Sequence, residues 1–145
     1  MKVITNNKKA FHDYFITKTY EAGISLQGTE IKSLRLGKCS IKEAHVIIKN
    51  KEAWLIGSTI PIYTQGNIYN HEEQRKRKLL LHKKEIINLE FEVKTQRLAL
   101  IPLKVYFTEK GKVKVEFGLA KGKKKYDKRQ EEAKKSDLKK IKQNV

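Results

Sequence analysis

Residues Val113-Lys114-Val115-Glu116-Phe117 alternate apolar and polar side chains with the period of two that a half-buried strand requires. The pattern extends over 112–119. It pairs with a second apolar run, 97–108, through Glu109-Lys110-Gly111, a short turn that needs positive φ at its glycine. Residues 44–49 and 53–56 form another predicted hairpin around Lys49-Asn50-Lys51-Glu52. Residues 12–25 read as extended, rich in Tyr14, Phe15, Ile16, Thr17 and Tyr20, and end near Gly23. Two segments change to helical spacing. Residues 28–35 suit a short helix capped by Thr29, with Ile31 and Leu34 on one side and Gly37 as its stop. After Leu79-Leu80-Leu81, residues 82–94 carry Ile86, Leu89, Glu90 and Val93 as a helical stripe. Residues 57–70 contain Pro61 and several rings but no period, so they read as a long irregular loop. Trp54, Phe91, Phe107 and Phe117 are expected in the core. Several strands and two short helices predict a mainly β chain with short helices, built as a small OB-fold-like antiparallel barrel.

This patterning stops within Gly118-Leu119-Ala120-Lys121-Gly122-Lys123-Lys124-Lys125-Tyr126-Asp127-Lys128-Arg129. Gly118 and Gly122 are expected to permit sharp turns and close approach to a partner, and Tyr126 offers a ring on which a base could stack. Beyond Asp127, Leu138 and Ile141 are the only apolar anchors in a stretch rich in Lys and Glu. The expected division is therefore a barrel domain, 1–122, and a basic C-terminal tail, 123–145, disordered alone and ordered by a partner.

Charge narrows the partner. The net charge is +17; residues 121–145 hold 11 Lys/Arg against 4 Asp/Glu, so about +7 lies in the tail and about +10 in the body. A large polyanion is implied, RNA or DNA first and an anionic membrane second. The 28 lysines outnumber the 5 arginines, which favours point contacts with phosphate over bidentate reading of guanine. Cys39 is the single cysteine, so no intramolecular disulfide forms and a reducing compartment fits. No window approaches the ~20 apolar residues of a membrane helix, and 1–7 lacks the apolar stretch of a secretory signal. A cytoplasmic location without a membrane partner is expected. His12, His45, His71 and His82 are scattered without metal-ligand spacing, and neither a Walker loop nor a nucleophilic triad is discernible. A non-enzymatic chain without a cofactor is the expectation.

Three features suit RNA. Arg75-Lys76-Arg77-Lys78 is a basic run just before Leu79-Leu80-Leu81, and His71, Tyr63 and Tyr69 lie nearby as rings for stacking. Glu21, between Tyr20 and Ala22-Gly23, repels phosphate but can accept hydrogen bonds from base edges or ribose hydroxyls. Each has a plainer reading: a solvated charged face, packing rings, an exposed strand glutamate.

The ordered series of motifs adds to this. Asn7-Lys8-Lys9-Ala10, Asp13-Tyr14, Glu21-Ala22-Gly23-Ile24, Gly28-Thr29-Glu30-Ile31-Lys32-Ser33-Leu34-Arg35 and Gly37-Lys38 are followed by Arg77-Lys78-Leu79-Leu80-Leu81-His82-Lys83, Pro102-Leu103-Lys104-Val105-Tyr106-Phe107 and Gly118-Leu119-Ala120-Lys121-Gly122-Lys123-Lys124. This series resembles the SmpB family, the SsrA-binding proteins of bacterial trans-translation. The resemblance implies an oligonucleotide-binding barrel whose ligand is the tRNA-like domain of transfer-messenger RNA. It implies that Asn7 and Glu21 contact that RNA, with Leu80 and His82 linked to the same binding; Lys8, Lys9, Arg75, Arg77 and Lys78 complete the candidate RNA-binding set. It assigns Gly122, Lys123, Lys124, Asp127, Lys128, Arg129 and Ile141 to events on the ribosome, where the tail enters the empty mRNA channel beside the decoding centre. Alanyl-tRNA synthetase and elongation factor Tu would then associate indirectly, through the RNA. Glu73 and Lys76 depart from the family, standing where proline is frequent.

A second reading is a basic OB-type ribosomal or ribosome-assembly protein. It predicts binding to ribosomal RNA without preference for a tRNA-like fold, and the RNA that co-purifies with the chain separates the two.

Overall fold

The computed structural model describes residues 1–65 and 70–124. In chain order the elements are β1 (Lys2–Asn6), α1 (Lys8–Asp13), β2 (Tyr14–Ile24), α2 (Gly28–Arg35), β3 (His45–Lys49), β4 (Glu52–Ile56), β5 (Arg77–Leu80), α3 (Lys83–Gln96), β6 (Ala99–Phe107) and β7 (Val113–Gly122). The strands follow the order β6-β3-β4-β5-β2-β7, and β7 pairs back onto β6, closing a ring in which every pairing is antiparallel. β1 adds to β6 outside that ring, opposite residues 104–107. Closure removes the unpaired sheet edges that would otherwise template aggregation. The expected mainly β, OB-like antiparallel barrel with short helices is therefore what the chain forms.

Alternation decides what faces inward. Val113, Val115 and Phe117 enter the core from β7, while Lys114 and Glu116 point the other way. The same core takes Val105 and Phe107 from β6, Ala22 from β2, Ala53 and Leu55 from β4, Leu79 from β5, Leu34 from α2 and Leu89 from α3. Tyr20 stacks on Phe117 with ring centroids 5.7 Å apart. A register shift between Pro102 and Lys104 marks a bulge in β6 against β7, and Leu103 turns there into a second cluster with Ala10, Ile101 and Ala120 beneath α1. Proline is tolerated at this point because the bulge removes the need for its missing N–H.

Both predicted hairpins form. Asn50 and Lys51 each take φ near +55° (52° and 60°), the two left-handed positions of a primed two-residue turn. Gly111 has φ 81°, as its turn demands.

Several expectations need correction. Residues 12–25 are not extended throughout. The chain is helical to Asp13, because Asn7 caps α1 by accepting the Ala10 N–H at 3.2 Å, and β2 starts at Tyr14. Thr29 does not cap α2; the N-cap is Gln27, whose N–H donates to Glu30 Oε1 at 2.7 Å, while the Thr29 hydroxyl bonds the His71 ring at 2.9 Å. Phe91 is not core: it is 67% exposed, on the side of α3 opposite Ile86 and Leu89. Trp54 is half-buried, with the Lys76 ammonium 5.9 Å from its ring centre. Gly118 is no turn. It lies inside β7, where a Cβ would sit 2.7 Å from Ile16 Cγ2 and 3.1 Å from the Lys18 carbonyl of the neighbouring strand. Among the described residues no helix is long and apolar enough to cross a membrane, and no cluster of metal-ligating side chains is present.

Candidate nucleic-acid interface

The outward side of the sheet formed by β5, β2, β7, β6 and β1 carries two adjacent rows set by strand register. One runs Leu80, Gly23, Lys114, Tyr106, Val3; the next runs Glu21, Glu116, Lys104, Asn6. Gly23 leaves the first row bare between Leu80 and Lys114, and a Cβ there would touch the Leu80 side chain at 3.4 Å. Leu80 is 55% exposed. Sequence separations of 59 (21 to 80) and 93 (21 to 114) thus collapse into one face.

Glu21 is the chemical centre of that face. Its Oε1 lies 3.1 Å from Lys114 Nζ, with about half of the side chain open to solvent. A hydrogen bond from the Tyr106 hydroxyl, then the bond from Lys114, hold the carboxyl below the ordinary carboxylate range, so it is ionised at neutral pH. Burial, reinforced by Glu21, pushes the Tyr106 phenol well above its usual range, so it stays protonated and donates. Lys104 pairs with Glu116 at 3.2 Å, and its ammonium stands 5.6 Å from the centre of the Tyr106 ring. Glu21, Tyr106, Lys110, Lys112 and Lys114 border an open cavity of about 540 Å3. The result is a lysine-bearing face on which Glu21 is the more exposed of two carboxylates and is ionised. Such a face contacts phosphates by charge and base or ribose edges by hydrogen bonding.

The other predicted residues separate into exposed and structural ones. Lys78, Leu80 and His82 gather around a second open cavity of about 430 Å3 beside Lys51, Glu52 and Lys83. Lys78 pairs there with Glu52 at 3.4 Å, and His82 is the N-cap of α3, its N–H bonded to Glu85 Oε1. Lys8 and Lys9 are exposed on α1, with Lys9 3.4 Å from Glu43. Lys123 reaches back to this corner: its ammonium donates to the Phe11 carbonyl at 3.0 Å and lies 4.9 Å from the Phe15 ring centre. Gly122 and Lys124 are exposed beside it. The N-terminal lysines and the start of the basic exit therefore share one corner of the barrel.

Two of the predicted contact residues lie inside the protein. Asn7 is buried; besides capping α1, its amide donates to the carbonyls of Ile41 at 3.3 Å and Pro102 at 2.9 Å, so both ends of the amide are engaged inside the protein. Arg77 exposes no surface. Its Nε donates to Glu30 Oε2 at 2.6 Å, and its other nitrogens reach Ser58 and the carbonyls of Arg75 and Glu73. Both side chains are buried and hydrogen-bonded within the protein, where each fixes the backbone from which neighbours project. Arg75 is half-buried and shares Glu30, at 2.6 Å. Burial raises the Glu30 pKa, but bonds from Arg75, the Gln27 N–H and Arg77 outweigh it and leave the carboxyl below its ordinary value. His71 is also internal, bonded to Thr29 and the Ile60 carbonyl. Tyr63 is half-buried with Lys32 over its ring, whereas Tyr69, Tyr126, Asp127, Lys128, Arg129 and Ile141 lie outside the described residues. Sequence reasoning missed Lys104, Tyr106, Lys114 and Glu116 as members of the face. The alternation of β7 already placed Lys114 and Glu116 outward, but nothing local says that they flank Glu21.

Fold and face together define an OB-like basic barrel with a nucleic-acid-binding surface. The chain belongs to the SmpB family: the SmpB protein family model matches residues 4–145. It is 53% identical to the SsrA-binding protein of Fervidobacterium nodosum over 143 residues, covering 99% of this chain and 96% of that protein. It is 55% identical to the SsrA-binding protein of Thermosipho melanesiensis over 131 residues, 90% of this chain and 89% of that one. Among solved structures, a chain described as "tmRNA-SmpB: a journey to the center of the bacterial ribosome" is similar with a TM-score of 0.71 and 46% identity, covering 86% of this chain and 87% of that chain.

Proposed function

We propose that this chain binds the tRNA-like domain of transfer-messenger RNA (SsrA) and delivers it to stalled ribosomes for trans-translation, as a non-enzymatic RNA-binding protein of the cytoplasm. The observation that carries the reading is Glu21: an exposed carboxylate held ionised in the middle of a lysine-bearing sheet face. A protein that bound polyanions by charge alone would gain from losing it. A protein that recognises a folded RNA uses it as an acceptor for base or ribose donors. The SsrA-binding names of its relatives and the tmRNA–SmpB description of the similar structure support the same RNA.

The labour divides along the chain. Residues 1–122, which end with the last strand, capture the RNA; residues 123–145 act on the ribosome, where the basic tail senses the empty mRNA channel. Ordering a tail costs ~1–2 kcal/mol per residue, so it is stable only where many phosphates meet its lysines together. Alanyl-tRNA synthetase and elongation factor Tu join through the RNA.

Binding of a tRNA-like transcript at fixed salt tests the reading by its sign. Glu21→Ala weakens binding by about ten- to a hundredfold, the loss of one or two edge contacts, although it makes the protein more cationic. Equal or tighter binding by the variant contradicts the reading.

A further inference from the structure

Trp54 is the single tryptophan of the chain, and it does not face the core. Its neighbours on β4, Ala53 and Leu55, are core residues at 0% and 1% exposure, so strand alternation sends Trp54 to the outer side of the sheet. Register sets it between Ile47 of β3 and Lys78 of β5. Lys78 is outward by the same alternation, because Arg77 and Leu79 on either side of it are buried. The indole is half-buried, and the ammonium of the exposed Lys76 stands 5.9 Å from its ring centre.

An outward indole among lysines combines the two parts that an unpaired RNA segment needs. A flat ring accepts a base by stacking, and the cations beside it take the flanking phosphates. The Lys76 ammonium lies near the outer limit of cation–π reach, ~6 Å, so it is loosely held and can move onto phosphate. Lys78 pairs with Glu52 at 3.4 Å with almost half of each side chain in water, a weak pair that phosphate can displace. The ring is also continuous with the face that holds Glu21. Strand β5 alone separates β4 from β2, and Leu80, on the same side of β5 as Lys78, sits opposite Gly23. Glu52, Lys78 and Leu80 all border the open cavity of about 430 Å3.

We propose that Trp54 is a further RNA-contacting residue: its outward ring stacks on an unpaired base of the tRNA-like RNA, while Lys76 and Lys78 meet the phosphates on either side. The inference rests on this chain binding that RNA. It extends the interface around the barrel from β2 across β5 to β4, and it adds a stacking contact to the hydrogen-bonding and charge contacts of the Glu21 face.

Because Trp54 is the only tryptophan, tryptophan emission reports on this ring alone. The full chain is titrated with a tRNA-like transcript and with an unstructured RNA of equal length, and ultraviolet cross-links to the transcript are mapped by mass spectrometry. At saturation with the transcript, Trp54 emission is quenched and the ring is cross-linked to a base. Trp54→Leu weakens transcript binding by about five- to a hundredfold, the worth of one stacked base, and Trp54→Phe recovers most of the loss because it keeps a flat ring. Urea unfolding checks that both variants fold, and the wild-type emission and cross-link decide the matter even if one does not. If the transcript binds tightly and in preference to the unstructured RNA, yet Trp54 emission is unchanged or no cross-link falls on Trp54, the RNA reading stands and the stacking contact is overturned. Unaltered binding by a folded Trp54→Leu, or a loss that a folded Trp54→Phe does not recover, overturns it too. If the transcript is not preferred over the unstructured RNA, the functional reading itself fails and the inference falls with it.

Discussion

Arg77 Nε donates to Glu30 Oε2 at 2.6 Å, and neither side chain exposes any surface. The pair ties β5 to α2, and the rest of the guanidinium holds Ser58 and the Glu73 carbonyl. A buried pair with its hydrogen bonds satisfied is expensive to break from one side, because the survivor stays charged without a partner. Arg77→Ala should therefore cost about 3–5 kcal/mol in urea unfolding. A variant of normal stability with weakened RNA binding would instead make Arg77 a surface contact.

The same carboxylate sets a pH dependence. Glu30 has a folded pKa below its unfolded value of 4.5, so its contribution is complete above that value and is lost as pH falls through the folded pKa. Stability should decline as pH falls from about 4.5 toward the folded pKa, with a slope from this group that stays below one proton. Glu30→Gln should be less stable at neutral pH yet show a shallower acid decline, measured by urea midpoints across pH 3–6 (roughly the window of one titration). An unchanged slope would contradict the assignment.

Two phenylalanines that look alike in sequence should behave oppositely. Phe117 is fully buried under Tyr20, so Phe117→Ala should cost about 3–5 kcal/mol. Phe91, two-thirds exposed, should change stability by no more than about 0.5 kcal/mol when replaced by Ser. A large loss at Phe91 would mean that its face of α3 is covered in solution.

That contrast shows where the sequence was legible. Hairpins with strong alternation and turn residues, such as Val113–Gly122 with Gly111, were readable because their signals are local. α1 was not, since its cap is an Asn7 side chain whose amide is held by Ile41 and Pro102, far away in the chain. Phe91 failed because helical phase, not hydrophobicity, decides which side of α3 is wet. Of the residues named for RNA binding, Glu21, Leu80 and His82 are exposed and Lys78 is half-buried. That Asn7 and Arg77 are buried was not legible, because composition cannot tell a surface cation or amide from a buried one with partners. Tyr106 and Lys114 were invisible because only strand register brings them to Glu21.

Truncation after Gly122 removes residues 123–145, the part of the chain assigned to the ribosome, and keeps every strand. The shortened protein should bind the tRNA-like transcript within a few-fold of the full chain, while tagging on stalled ribosomes is lost. So should the variant in which Asp127, Lys128 and Arg129 are all replaced by Ala. A fall of the truncated protein to non-specific affinity, or normal tagging by the triple variant, would contradict the division of labour.

The most direct measurement is the identity of the RNA that co-purifies with the full chain from cells, read by sequencing after stringent salt washing. The account predicts one dominant species, a transfer-messenger RNA with a tRNA-like end, lost selectively in Glu21→Ala. Recovery of ribosomal RNA with no enrichment of a tRNA-like species, or enrichment that Glu21→Ala leaves intact, would contradict it.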